Sequence, residues 1–271
     1  MITGRTSVYA LLGHPIARSP SPALHNRWFS EHGIDSVYVA CSTQGVPPAQ
    51  VVPGFRALGL AGANVTVPLK EAVLHSVDRL EARARAAGAV NTLYWQDGQL
   101  VGDNTDGIGF VRALREDGFD PAGARVAMIG AGGAARGIAS ALIDGGVREI
   151  VVLNRTEAKA RLLAHDLSGR GADLRIGPLD DAGLHNADLA VVSLPRTATA
   201  TLPLDPGRIA PGGVWCDIAY GTPIPVLSER ARATGRTTAD GWGMLCWQAA
   251  FAFERWTGVR ADAEAARSQQ P

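Results

Sequence analysis

The stretch Arg125-Val126-Ala127-Met128-Ile129-Gly130-Ala131-Gly132-Gly133-Ala134-Ala135-Arg136-Gly137 runs from a strand-like apolar segment through a glycine-rich turn into a helix of small residues. It fits the dinucleotide pattern G-x-G-x-x-[GA] in its required strand–turn–helix setting. Gly130 suits a tight turn, Gly132 lets a pyrophosphate approach the backbone, and small Ala135 allows close packing of helix on strand. The free N–H groups and partial positive charge of the helix start attract the phosphates. Gly130, Ala131, Gly132, Gly133 and Ala134 are therefore the expected phosphate cradle.

The end of the following strand selects the dinucleotide. An acid about 20 residues on marks NAD, because it accepts a hydrogen bond from the ribose 2′-hydroxyl. Here the chain reads Leu153-Asn154-Arg155-Thr156, with Lys159 one turn further. An acid would repel a 2′-phosphate, whereas Arg155 and Lys159 beside Asn154 and Thr156 attract one. The expected cofactor is NADP(H). Thr156 also suits the N-cap of the next helix.

Outward from this point, short apolar runs alternate with longer Ala/Leu/Arg stretches, the rhythm of an α/β protein with mostly parallel sheets. On the C-terminal side the strand series continues at Glu149–Leu153, Leu189–Ser193 and Gly213–Ile218. The periodicity of Met244–Thr257 predicts an amphipathic helix, and Arg260–Pro271 reads as a polar tail. On the N-terminal side, strands are expected at Val8–Leu12, Val37–Ala40 and Ala63–Val67. Pro22–His32, Pro48–Leu58 and Lys70–Ala87 read as helices. Asp97-Gly98 between Thr92–Trp95 and Gln99–Val101 predicts a hairpin.

Bulk properties remove several function classes. The 271 residues carry 26 basic and 26 acidic side chains, so no electrostatic footprint for nucleic acid or an anionic membrane is expected. No run approaches the roughly 20 apolar residues of a membrane span, since Arg136 and Asp144 interrupt the best candidate. The start has no signal-peptide core. Cys41, Cys216 and Cys246 are scattered, and no histidine spacing suits a metal. A metal-free, cytoplasmic protein is the expectation.

Three segments of the N-terminal part are polar for their surroundings: Ser19-Pro20-Ser21-Pro22 before His25-Asn26, Asn64–Lys70, and Gly102-Asp103-Asn104-Thr105-Asp106-Gly107. Singly, each is explained by turn and cap chemistry. Together they resemble the shikimate dehydrogenase family, through Gly13-His14-Pro15-Ile16-Ala17-Arg18-Ser19-Pro20-Ser21-Pro22 and Gly62-Ala63-Asn64-Val65-Thr66-Val67-Pro68-Leu69-Lys70. Ala87-Gly88-Ala89-Val90-Asn91-Thr92 follows in order. Near the end stand Asp217-Ile218-Ala219-Tyr220, Gly241-Trp242-Gly243-Met244-Leu245, Gln248-Ala249 and Trp256-Thr257-Gly258. The resemblance covers nearly the whole chain.

It implies two lobes with a cleft between them. One is a discontinuous α/β substrate and catalytic domain, residues 1–104 with 241–271; the other is a Rossmann-type NADP-binding domain, residues 105–240. It implies reversible hydride transfer between 3-dehydroshikimate and shikimate, in aromatic amino-acid biosynthesis, by a monomer or homodimer. Ser19 and Ser21 would hold the substrate carboxylate with Tyr220 close by. Thr66, Asn91, Asp106 and Gln248 would read ring hydroxyls, and Lys70 with Asp106 would form the catalytic pair. Lys70 would act as much by stabilising the developing alkoxide as by accepting its proton. Ile218 and Gly241 would lie against the nicotinamide.

Two departures matter. Arg18 stands where the family commonly has His, and Val192-Ser193-Leu194-Pro195-Arg196 replaces its Asn-Ala-Thr near the nicotinamide. Both leave room for quinate or an aminoshikimate as substrate. A non-catalytic ligand sensor of the same fold is the competing class, disfavoured by the presence of both Lys70 and Asp106.

Overall fold

The computed structural model of the chain describes residues 2–270. They form two compact units, one holding the residues through Thr105 with Gln248–Ala266, the other Asp106–Trp247 with the residues from Arg267. The segment expected to enter the first unit whole is thus divided: its 241–247 part and the residues from Arg267 pack in the second.

The first unit is built on a mixed sheet. Its strands are β1 (Ser7–Gly13), β2 (Ser36–Ser42), β3 (Gly62–Val65), β4 (Arg79–Leu80), β5 (Thr92–Gln96) and β6 (Gln99–Asp103). Their spatial order is β2-β1-β3-β5-β6-β4. β1 pairs in parallel with β2 and β3, whereas β5 runs antiparallel to β3 and β6. The β5–β6 hairpin turns on Asp97 and Gly98, both at positive φ, as its two-residue sequence requires. Ala10, Leu12, Ala63, Val65 and Leu93 pack one face of the sheet against Val52 and Phe55 of helix Pro48–Ala57.

The second unit carries an all-parallel sheet of β7 (Arg125–Ile129), β8 (Glu149–Leu153), β9 (Asp173–Gly177), β10 (Leu189–Val192), β11 (Val214–Asp217) and β12 (Thr237–Asp240). The order β12-β11-β10-β7-β8-β9 reverses direction at β7, the doubly wound arrangement of Rossmann folds. Such central strands are covered on both faces, hence the unbroken apolar runs. Val126, Met128 and Ile129 are wholly buried, and each such side chain contributes about 1.5–3 kcal/mol.

Two expectations are corrected, and two strands are added to those expected. Lys70–Ala87 is not one helix: it is a short 3₁₀ turn (Ala72–His75), then β4, then a helix at Ala82–Ala87. The break lies at Asp78, whose carboxylate accepts from the Leu100 N–H at 2.7 Å and draws Arg79 and Leu80 into pairing with β6. The polar C-terminal stretch contains a helix, Ala263–Arg267, held by buried Ala263 and Ala266 and by Arg267 on Glu116 and Asp117. β9 and β12 escaped the reading because they are polar edge strands, with mostly partly exposed side chains and no apolar run.

Candidate active site

In the first unit, the expected residues gather where β1 and β3 end, the usual ligand position in α/β sheets. Beyond β1 the chain makes a turn and enters helix Ser21–Glu31; the Ser19 hydroxyl donates to the Ser21 hydroxyl at 3.1 Å. A side chain on Gly13 would stand 2.4 Å from the Thr66 methyl, so the strand ends approach closely enough to require glycine. Thr66 donates its N–H to Leu12 O, and the Lys70 carbonyl accepts from Val90 N at 2.8 Å, tying the lysine's backbone to the residue before Asn91.

Asn91 is 2% exposed and its side chain bonds to Thr92, Thr105 and Gln248. Its Nδ2 donates to Thr105 Oγ1 at 2.9 Å and to Gln248 Oε1 at 3.3 Å. Its Oδ1 accepts from Thr92 Oγ1 and from the Thr105 N–H, both at 2.8 Å. Ser19, Ser21, Thr66, Lys70, Asn91 and Gln248 thus belong to one unit. Buried Asp103, beside this group, is held by Arg83 through two nitrogens and by Arg255. Arg18 is exposed.

In the second unit, Asp106 is buried and opens helix Asp106–Glu116. The glycine-rich turn follows β7 directly. Gly130 takes φ +118°, and a Cβ there would meet Ser193 O at 2.5 Å. Gly132 caps the 12-residue helix Gly133–Asp144, and nothing lies within 4 Å of the place its Cβ would occupy. The turn is thus closed behind and open in front, as a bound pyrophosphate requires.

At the end of β8, Asn154 Nδ2 donates to Thr156 O. Arg155 and Lys159 are exposed and form no ion pair among the described residues, whereas neighbouring Arg161 pairs with Glu157 and Arg136 with Asp166. Both cations expected to meet a 2′-phosphate are thus without a carboxylate on them among the described residues. These residues fit NADP(H).

The segment after β10 departs from its expected composition and shows what replaces it. Arg196 Nη2 donates to Tyr220 O at 2.6 Å, anchoring that loop to the residue expected near the substrate carboxylate. Asp217 receives the Ala219 N–H; burial, opposed by that bond and by Arg196, pushes its carboxyl up to about 6. The Ile218 carbonyl would lie 1.9 Å from a Cβ on Gly241, so only glycine lets these two backbones meet. The reading by sequence gave no role to Tyr38, Thr92, Thr105 or Arg196. Thr92 and Thr105 flank motif residues, and polarity inside an otherwise apolar hairpin was their available signal.

Family models match three segments: a shikimate dehydrogenase substrate binding domain at residues 11–93, shikimate / quinate 5-dehydrogenase at 113–203, and a shikimate 5′-dehydrogenase C-terminal domain at 241–269. The chain is 42% identical to a shikimate dehydrogenase (NADP(+)) of Rubrobacter xylanophilus, over 98% of this chain and 96% of the relative. Among solved structures, it resembles the Thermus thermophilus shikimate 5-dehydrogenase in complex with NADP(H) and shikimate: TM-score 0.84, 34% identity, 97% of each chain covered. It also resembles a quinate dehydrogenase of Corynebacterium glutamicum in complex with NAD, with TM-score 0.84 and 28% identity over 97% of this chain and 98% of that one.

Proposed function

The chain belongs to the shikimate dehydrogenase family, and from that premise we propose that it is an NADP-dependent dehydrogenase interconverting 3-dehydroshikimate and shikimate. What supports the reading most is the gathering of hydroxyl and amide side chains with Lys70 at the ends of β1 and β3. That is the equipment for a small polyhydroxylated carboxylate rather than an apolar ligand. The first unit is the substrate domain and the second the cofactor domain.

NADP(H), when bound, takes or supplies the hydride at the carbinol carbon. The chain does the rest. Ser19 and Ser21 donate to the carboxylate, with Tyr220 as a third hydroxyl. Thr66, Asn91 and Gln248 fix the ring hydroxyls and so present one carbinol to the chemistry. Lys70 accepts the hydroxyl proton or stabilises the alkoxide, and returns the proton to oxygen in the reductive direction. Asp106 is the acidic member of the catalytic pair. Gly130, Ala131, Gly132, Gly133 and Ala134 cradle the pyrophosphate, and Asn154, Arg155, Thr156 and Lys159 take the 2′-phosphate. Ile218 and Gly241 receive the nicotinamide.

Absorbance of reduced nicotinamide tests this, with shikimate, quinate and an aminoshikimate each offered with NADP+ and NAD+. Turnover of shikimate with NADP+ is expected to dominate. Activity confined to quinate with NAD+ would overturn the substrate and cofactor assignment.

A further inference from the structure

Arg196 stands in the segment that departs from the family's pattern, and the chemistry above gives it no part. It opens the short helix Arg196–Thr199 beyond β10, where its carbonyl accepts from Thr199 Oγ1 at 2.8 Å. Its side chain crosses to the segment that follows the neighbouring strand, β11. There Nη2 donates to Tyr220 O at 2.6 Å and to Gly221 O at 3.4 Å. Asp217, the last residue of β11 and 1% exposed, carries the charge that opposes the guanidinium.

What the guanidinium holds has little else to hold it. The Ile218 N–H donates to Val192 O at 3.0 Å and the Ala219 N–H to Asp217 Oδ1 at 2.9 Å, which ties the chain as far as residue 219. Beyond that point, the two bonds from Arg196 are the only hydrogen bonds on residues 220–224 among the described residues. Thr222, Pro223 and Ile224 are exposed, so the loop gains little from packing. Gly221 takes φ +77° and adds no restriction of its own. Tyr220 has one further contact: its ring meets Trp242 edge-on, with centroids 6.0 Å apart. That contact limits where the ring can lie, while the Arg196 bonds set the backbone from which the ring extends.

We propose that Arg196 is a positioning residue for substrate recognition: by holding the Tyr220 and Gly221 carbonyls, it keeps the Tyr220 hydroxyl where the substrate carboxylate is met. The inference rests on the function proposed above. Without the guanidinium, residues 220–224 sample other conformations, and apparent affinity falls with the fraction that remains competent. The loss is therefore one of substrate binding, and it exists only while residue 220 carries a hydroxyl to place.

The test is a double-mutant cycle of Arg196→Met and Tyr220→Phe, with wild type assayed first on shikimate and NADP+. No turnover by wild type overturns the underlying reading and this inference with it. Given turnover, Arg196→Met is expected to raise KM for shikimate about five- to tenfold, the scale of one lost hydrogen bond to the ligand. kcat and the dissociation constant for NADP+ are expected within about twofold of wild type. Tyr220→Phe is expected to raise KM on the same scale, and adding Arg196→Met to it to change KM by less than about twofold. Arg196→Lys keeps a charge opposite Asp217 and loses the forked donor, so the cycle can be closed with it if Arg196→Met does not fold. It is expected to raise KM at least about threefold, again only when Tyr220 is present. An unchanged KM in a folded Arg196 or Tyr220 variant would overturn the proposal. So would an Arg196 substitution that raises KM by the same factor with Tyr220 and with Phe, as a general structural defect does.

Discussion

His25 makes the protein's response to acid calculable. Its ring is wholly buried among Tyr38, Trp28 and Trp256, and neither nitrogen has a hydrogen-bond partner among the described residues. Burial, opposed in part by the neighbouring Asn64 side chain, pushes the imidazole from 6.5 down to about 3. The native state therefore holds it neutral while the unfolded chain protonates it near 6.5. As pH falls through 6.5 the unfolded state gains a proton the native state does not take, and stability is lost until about pH 3. Over that window the loss is about 5 kcal/mol, and between pH 7.5 and 5.0 about 2 kcal/mol.

Asp217 works in the opposite sense, since a carboxyl raised to about 6 favours the native state as pH falls from 6 to 3.8. The wild-type curve alone is thus a composite. His25→Leu isolates the histidine: leucine removes no hydrogen bond, and the packing it forfeits costs the same at any pH. Urea unfolding followed by tryptophan fluorescence at the two pH values gives the difference between wild type and variant. That difference should shift by about 2 kcal/mol in favour of the variant at pH 5.0. An equal gap at both pH values would refute the assignment of a neutral, desolvated imidazole.

Other perturbations follow from the same geometry. Arg155→Glu with Lys159→Glu should raise KM for NADP+ by about 100-fold or more, with a much smaller effect on NAD+, because the charges opposing the 2′-phosphate are reversed; steady-state kinetics with each cofactor decide it. Gly241→Ala drives a methyl into the Ile218 carbonyl and should cost about 3 kcal/mol, read as a lower unfolding midpoint. Arg83→Ala leaves fully buried Asp103 with Arg255 as its remaining cation and should cost about 3 kcal/mol by denaturation, whereas Arg27→Ala, on an exposed pair with Glu31, should cost less than about 1 kcal/mol.

The legible parts of the fold were those where local chemistry and tertiary role coincide. β7 and β8 match the predicted limits because a central parallel strand is apolar throughout and ends at a glycine or a polar turn. The glycine-rich turn was readable for the same reason: few other residues tolerate φ +118° against Ser193 O. Lys70–Ala87 misled because its composition favours a helix, while the feature that breaks it, Asp78 on Leu100 N, is a contact 22 residues away. The site divides likewise. Ser19, Thr66, Lys70 and Asn91 stand in motifs, but Arg196 sits in a segment that departs from the family's pattern. Its bond to Tyr220 O joins residues 24 apart in the sequence. No spacing announces a contact that exists only once two loops have met.

The central claim, a hydride-transfer enzyme whose proton chemistry rests on Lys70, is tested most directly by Lys70→Met. Methionine keeps the length of the side chain and removes the ammonium. Initial rates with shikimate and NADP+ should fall at least about 100-fold, the scale of a lost acid–base group, with the NADP+ dissociation constant unchanged by fluorescence titration. Turnover within a few-fold of wild type would contradict the account.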